Sequence, residues 1–376
     1  MIRAFVLHAP RRRLLWLLFL ASGSMAAASL GHLVKPAFLV GPDDLPSLPF
    51  LAMLRWDSGW YGAIAKDGYW ISPGQQSPVA FFPLYPLVIR AFAWLGVNRW
   101  IAGSLVSLVA GVSALLVFHR WLTRLAPAQT ATAWLVLVSY PYACYLYGVV
   151  YSDALFLLLV VSAFVSLEED RPLLAALFGA LATACRPVAP ALVLGLVVRS
   201  LERRRRAGAP LRAVDFAPAF AVLGLVAYMG FLHSKFGDAL AFAHVQDSPG
   251  WENTPGWSAW LKDEWFHQLS VGHWTVKVRL AAHALVTVGA LALVPAVFRR
   301  LGWGYGVYCL IVLGMPALAS KDFQGMGRYA IAAFPVLVPL ARWLDEWGGL
   351  RDLLLVVLAG LLALAAALWG TGAYVS

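Results

Sequence analysis

Long apolar stretches separated by short polar islands make up most of this chain. The first stretch, Leu14 to about Val34, is long enough to cross a hydrocarbon layer of ~30 Å as a helix. Phe81 to Val97 is also apolar, but Pro83, Pro86 and Arg90 interrupt it, so it is expected to lie at the interface or re-enter it rather than cross. Trp100 to Phe118 is the second predicted span. The alternation then continues through Thr130 to Tyr147, Asp153 to Leu167, Leu173 to Ala184, Val188 to Val198 and Phe216 to Leu232. Ala281 to Phe298, Trp303 to Ala319, Tyr329 to Leu344 and Leu353 to Trp369 complete it. The pattern predicts an all-α, polytopic integral membrane protein of about eleven transmembrane helices.

The spans leave two long polar loops, 35–99 with the interfacial helix inside it and 233–277, within a single membrane domain covering 1–376. Hydrophobic residues make up 61% of the 376 positions and charged residues 13%, which excludes a soluble globular domain. The formal charge of +10 could suggest nucleic acid. The basic residues instead form short clusters between apolar runs: Arg11 to Arg13, His119-Arg120 with Arg124, Arg203 to Arg206, and Arg299-Arg300. So placed, they mark the cytoplasmic side, and no nucleic-acid partner is expected.

Arg11 to Arg13, the leucine-rich run and Met25 to Ser29 together resemble a secretory signal with a small-residue cleavage site. The run continues to Val34, which favours an uncleaved first helix with its amino terminus in the cytoplasm. The loop carrying Asp43, Asp44, Asp57 and Asp67 then faces the extracytoplasmic side. Cys144, Cys185 and Cys309 lack metal-ligand spacing and receive no role.

This topology brings five polar islands to the extracytoplasmic face: the first loop, Tyr151-Ser152-Asp153, Cys185-Arg186-Pro187, His233 to Lys277, and Lys321 to Tyr329. Trp251, Trp257, Trp260, Trp265 and Trp274 in the fourth suit an interfacial lid or acceptor surface, or equally an aromatic belt. No fixed-period repeat marks inverted halves. No phosphate-binding glycine loop or nucleotide-binding domain is present.

Arg55-Trp56-Asp57-x-Gly59-Trp60-Tyr61, Ile64-Ala65-x-x-Gly68-Tyr69 and Phe81-Phe82-Pro83-Leu84-Tyr85-Pro86 come first. Tyr151-Ser152-Asp153-x-Leu155-Phe156, Cys185-Arg186-Pro187 and Gly327-Arg328-Tyr329 ahead of Ala333-Phe334-Pro335 follow in order. This series resembles the PIG-V family, whose eukaryotic members add the second mannose to the glycosylphosphatidylinositol precursor. The resemblance runs from Arg55 to about Pro335. It implies a GT-C glycosyltransferase with many membrane helices, a catalytic acidic residue in the first extracytoplasmic loop, and a polyprenyl-phosphate sugar as donor. Two positions depart from the family pattern, Asp153 for the usual Glu and Pro187 after Arg186.

Such a donor already carries a good leaving group. The enzyme must add a base for the acceptor hydroxyl, positive charge at the departing phosphate and an in-line geometry. Asp57, between Trp56 and Trp60, is the candidate base, with helix capping as the alternative. Trp56, Trp60 and Tyr61 could support the sugar. Arg186 and Arg328 are the leading phosphate candidates, with helix-end snorkelling as the alternative, and Arg55 and Lys66 are weaker ones. Asp153 could orient a donor hydroxyl or cap its helix, and His244, Gln246 and Tyr329 could contact substrate. No cofactor or metal is expected.

The expected activity is inverting transfer of a sugar, mannose first, to a lipid, glycan or protein acceptor, with membrane lipids as the surroundings. A polyprenyl-linked glycolipid flippase or transporter is the rival, as is a GT-C enzyme for another sugar. A transporter would place paired charges in mid-span, whereas most charges here lie at span ends and in loops.

Overall fold

An apolar run surrounded by hydrocarbon must satisfy its backbone internally, which leaves the helix as its only local solution. All regular structure among the described residues is helical, as the pattern predicts. The structure, a computed structural model, describes residues 10–36, 44–253 and 256–375, so Asp43 lies outside the described residues. Five helices among them are long and apolar enough to cross a bilayer: Arg11–Val34, Arg99–Leu125, Ala213–Phe236, Trp274–Leu301 and Gly348–Gly370. The chain is a multi-pass membrane protein.

The other predicted spans are helical but shorter, more charged or broken. Thr130–Val138 ends before Pro141, which opens a separate turn over Pro141–Leu146, and Pro172–Thr183 has 12 residues. The count of about eleven full crossings therefore exceeds what helix length alone supports. The segment read as interfacial contains one helix, Leu84–Trp94, of 11 residues. That length rises about 16 Å, roughly half a bilayer core. It buries Tyr85 and Ile89 and exposes Leu87, Phe92 and Trp94.

The chain divides into two compact units. The first comprises residues up to Asp67, Leu84–Val165 and Leu337–Val375. Its terminal helices, Pro10–Val34 and Gly348–Gly370, pack antiparallel through small residues. A Cβ on Gly31 would meet the Ala367 carbonyl oxygen at 2.0 Å, and one on Gly370 would meet that of Ala28 at 1.9 Å. Close backbone approach of this kind replaces the hydrophobic driving force that lipid removes.

The Arg99–Leu125 helix, capped by the Asn98 side chain on the amides of Trp100 and Ile101, presents Gly103, Ser104, Ser107 and Gly111 on one buried face. The irregular backbone after Val138 lies against this face. Ser104 Oγ donates to the Gly148 carbonyl at 2.7 Å and Ser107 Oγ to that of Tyr151 at 3.0 Å. These hydroxyls let non-helical backbone stay buried.

The second unit comprises Gly68–Pro83 and Ser166–Val336. Arg199, almost fully buried on the Ala189–Arg206 helix, bonds Glu168 at 2.7 Å, Glu202 at 3.1 Å and the Leu301 carbonyl at 3.1 Å. Tyr305 donates to Glu168 at 2.9 Å. The basic run Arg203 to Arg206 makes specific ion pairs: Arg203 with Glu168 at 3.5 Å, Arg204 with Asp215 at 3.0 Å and Arg206 with Glu202 at 2.6 Å.

Candidate active site

The first-loop motif is held by its arginine. Arg55 is fully buried, and its guanidinium donates to the carbonyls of Leu54 at 2.6 Å, Leu51 at 3.0 Å and Gly370 at 2.8 Å, and to His32 Nδ1 at 2.8 Å. Burial pushes the group down to about 10, which leaves it charged at neutral pH. Every one of these contacts is to protein, and three go to backbone oxygens that only a multiple donor can satisfy together.

Trp56 follows with φ 53, a left-handed conformation unusual for a bulky side chain. Its ring is 39% exposed and meets the Tyr374 ring edge-on at 5.1 Å. This strained turn delivers the half-buried Asp57 to the head of the Ser58–Asp67 helix. The Asp57 carbonyl accepts from the amides of Trp60 at 3.0 Å and Tyr61 at 3.3 Å, so its backbone stands at the N-cap position of that helix.

Two motifs about a hundred positions apart meet here. The Asp57 backbone N–H donates to the Tyr151 hydroxyl at 3.0 Å, and the Tyr61 hydroxyl pairs with Ser152 Oγ at 2.9 Å. Tyr61 stacks edge-on with Tyr85 at 5.0 Å, and Tyr85 in turn donates to the Gly103 carbonyl at 2.8 Å and bonds Ser107 at 2.8 Å. The Tyr151 ring lies against Tyr145 and Trp369 at 5.2 and 5.4 Å. Trp60 is half-buried beside this cluster in sequence, and Asp153, 3% exposed, begins the Asp153–Glu168 helix directly after it. Asp57, Tyr61, Tyr85, Tyr151 and Asp153 thus belong to one aromatic-walled region of the first unit.

Lys66 stands apart from Asp57. It is exposed at the far end of the same helix, about 13 Å along the axis at 1.5 Å per residue. There it lines an open cleft of about 450 Å³ with Asp44, Asn98 and Arg99. Arg90 closes the helix end next to it, donating to the carbonyls of Ile64 at 2.7 Å and Ala65 at 2.8 Å.

In the second unit the two leading arginines share one ring. The Arg186 guanidinium lies 5.0 Å from the Tyr329 ring centroid and that of Arg328 lies 5.1 Å from it. Arg328 is almost fully buried and its Nη2 donates to the Tyr329 hydroxyl at 3.3 Å. The turn that seats them depends on Gly325, at φ 81, where an added Cβ would touch the Tyr329 ring at 3.0 Å.

His244 is exposed and bonds Asp238 at 2.7 Å, which holds that carboxyl below the usual range. Gln246 is half-buried, and its carbonyl accepts from the Asn253 amide at 2.9 Å. Their loop is tied to 68–83 of the same unit through Ser248 Oγ on the Gln75 carbonyl at 3.1 Å and Trp251 against Phe81 at 6.0 Å. Among the described residues, no three His, Cys, Asp or Glu side chains group as metal ligands. The three cysteines are buried thiols.

Sequence reasoning missed Tyr151 as the partner of Asp57, and Tyr374 against Trp56. Tyr151 stands in a motif already singled out, but its own hydroxyl was assigned nothing. Tyr374 carries no local signal at all.

No family model and no curated protein sequence matches the chain. Among solved structures it is similar to ArnT from Cupriavidus metallidurans bound to undecaprenyl phosphate. That match has TM-score 0.52 and 14% identity and covers 96% of this chain and 76% of that one. The apo state of the same protein gives 0.50 with 14% identity over the same shares. The archaeal oligosaccharyltransferase AglB from Archaeoglobus fulgidus, in complex with an inhibitory peptide and a dolichol-phosphate, gives 0.43 at 11% identity. It spans 96% of this chain and 56% of that one, too remote a likeness to argue from. The chain has the all-helical GT-C-like fold of ArnT.

Proposed function

We propose that this protein is a polyprenyl-phosphate-dependent glycosyltransferase that moves a sugar, mannose on the strength of its PIG-V-like motifs, to a lipid, glycan or protein acceptor on the extracytoplasmic face. The observation that carries the proposal is the meeting of the Arg55–Tyr61 and Tyr151–Asp153 motifs around Asp57. A strained backbone at Trp56, fixed by buried contacts on both sides, is the kind of feature that persists where a side chain must be aimed. The fold shared with a protein that binds undecaprenyl phosphate supports the donor class.

In this reading the acceptor hydroxyl attacks the anomeric carbon from the face opposite the phosphate. The new C–O bond forms as the bond to the phosphate oxygen breaks, which inverts the configuration. The Asp57 carboxylate takes the hydroxyl proton, and its partial burial among aromatics restricts water that would compete as acceptor. The polyprenyl phosphate leaves as an anion, and Arg186 and Arg328 are assigned to it because a guanidinium offers two parallel donors to phosphate oxygens. Trp56, Trp60, Tyr61, Asp153 and Tyr329 remain the proposed sugar contacts, with His244 and Gln246 proposed for the acceptor.

In this reading Arg55 holds the loop rather than the phosphate, since its guanidinium is committed to three carbonyls and His32. Lys66 is set aside because of its distance along the helix from Asp57. The test is purified protein in lipid, given radiolabelled polyprenyl-phosphate mannose and a membrane extract. Label is expected in a lipid, glycan or protein fraction with the parent and not with Asp57→Asn. Equal labelling by the two proteins would remove Asp57 from the mechanism, and no labelling from any polyprenyl-phosphate sugar would remove the enzyme class.

A further inference from the structure

Lys262 is a buried lysine in a left-handed backbone conformation, φ 61 and ψ 37, between the short helices Trp257–Leu261 and Asp263–Val271. A lysine gains nothing from either property, since glycine would relieve the strain and water would solvate the charge. Its ammonium compensates for both. Nζ donates to the carbonyls of Ala317 and Ser320 at the end of the Trp303–Ala319 helix. It also sits 4.8 Å from the Phe323 ring centroid. A cation at a helix C-terminus meets the negative end of the dipole and the carbonyls left without intrahelical donors. Burial pushes the ammonium down while nearby Asp322 pulls the other way.

One more contact joins the same segments, the Trp265 ring meeting Phe323 edge-on at 5.9 Å, and Lys321 bridges from the turn to Glu252, ahead of the loop, at 2.5 Å. The turn held in this way, Ser320 to Gly325, leads directly into Arg328 and Tyr329. Its two left-handed residues, Phe323 at φ 61 and Gly325 at φ 81, fix where those side chains go. On the other side of the latch, Trp257, Trp260, Leu261 and Phe266 are exposed.

We propose that Lys262 is a positioning residue for substrate binding: its ammonium latches the loop over 257–271 onto the 317–323 turn, so that the loop's position and the seating of Arg328 and Tyr329 are one event. This rests on the assignment of Arg186 and Arg328 to the donor phosphate.

The test uses the full chain in lipid nanodiscs. Lys262→Met keeps the side chain's length and removes its charge. Amide exchange over 320–325 is expected to quicken about tenfold or more, with the 189–206 helix unchanged. Binding of a short-chain polyprenyl phosphate is expected to weaken by about fivefold or more in the same variant. Parental exchange over 320–325 would overturn the latch. Quicker exchange with parental binding would overturn the coupling, provided Arg328→Lys weakens binding. If Arg186→Lys and Arg328→Lys both bind as the parent does, the phosphate assignment falls instead, and exchange alone decides the latch. Should Lys262→Met fail to insert, Phe323→Leu removes the ring beside the ammonium and leaves both carbonyls. It is expected to quicken exchange of the same amides, and parental exchange there would overturn the latch.

Discussion

Arg55-Trp56 in the first unit and Arg328-Tyr329 in the second are both arginine-aromatic pairs at a left-handed turn, and both arginines are buried. Their surroundings differ in kind. Arg55 faces two carbonyls of its own loop, the Gly370 carbonyl and the His32 ring nitrogen, and works as a multiple donor that ties the loop to the ends of the first and last helices. Arg328 shares the Tyr329 ring with a second guanidinium, Arg186. Two like charges on one ring are the arrangement assigned above to an anion with several acceptor oxygens, whereas the Arg55 guanidinium donates to neutral carbonyls and a ring nitrogen. Burial of an arginine therefore says little about its role until its acceptors are named.

The comparison can be broken or sharpened in order of effect. Asp57→Asn is expected to lower transfer by roughly 10²–10⁴-fold with normal expression, because the amide keeps the shape and cannot take the proton. Asp57→Glu is also expected to be poor, since one methylene displaces the base. Turnover of labelled donor measures both.

Arg55→Met leaves three carbonyls without their donor, and a buried acceptor left unsatisfied costs about 1–3 kcal/mol. Thermal unfolding in detergent is expected to shift strongly, while turnover per folded molecule stays within a few-fold. An Arg55→Met protein that is stable but inactive would reverse the roles assigned to the two arginines.

Arg328→Lys and Arg186→Lys keep the charge and lose the planar fork. Transfer is expected to fall about tenfold, chiefly through donor KM, with unfolding temperatures near parental. Parental rates across donor concentrations in both variants would end their assignment as phosphate ligands.

Tyr151→Phe removes the hydroxyl that accepts the Asp57 amide. One such hydrogen bond is worth about 1 kcal/mol, so transfer is expected to fall several-fold without loss of protein. A smaller, qualitative test concerns orientation. Because the three native cysteines are buried, single cysteines at exposed Asp67 and Arg205 can be probed with an impermeant reagent. Labelling from outside is expected at 67 and not at 205.

Part of the candidate site was legible along the chain. Asp57 stood out because a carboxylate among tryptophans next to an apolar span is expensive unless used, and its motif held together over seven residues. The segment around Pro83 and Pro86 holds a helix of 11 residues, too short to cross by itself. Other features were not legible. Nothing near Arg55 announces Gly370, 315 positions away, as its partner. Lys262 looks like one more loop lysine, and Arg203 to Arg206 looks like a simple topology signal, until Glu168, Glu202 and Asp215 are seen beside it.

Hydrophobic length and charge placement set the helical class and the membrane setting, because both follow from the energy of exposing backbone and charge to hydrocarbon, which depends on local composition. The pairing of Asp57 with Tyr151, the commitment of Arg55 to backbone, the shared ring of Arg186 and Arg328 and the latch at Lys262 were decided only by folding. Each is a directional contact between residues distant along the chain, worth something only at hydrogen-bond range, and no local pattern encodes which distant acceptor a donor will meet.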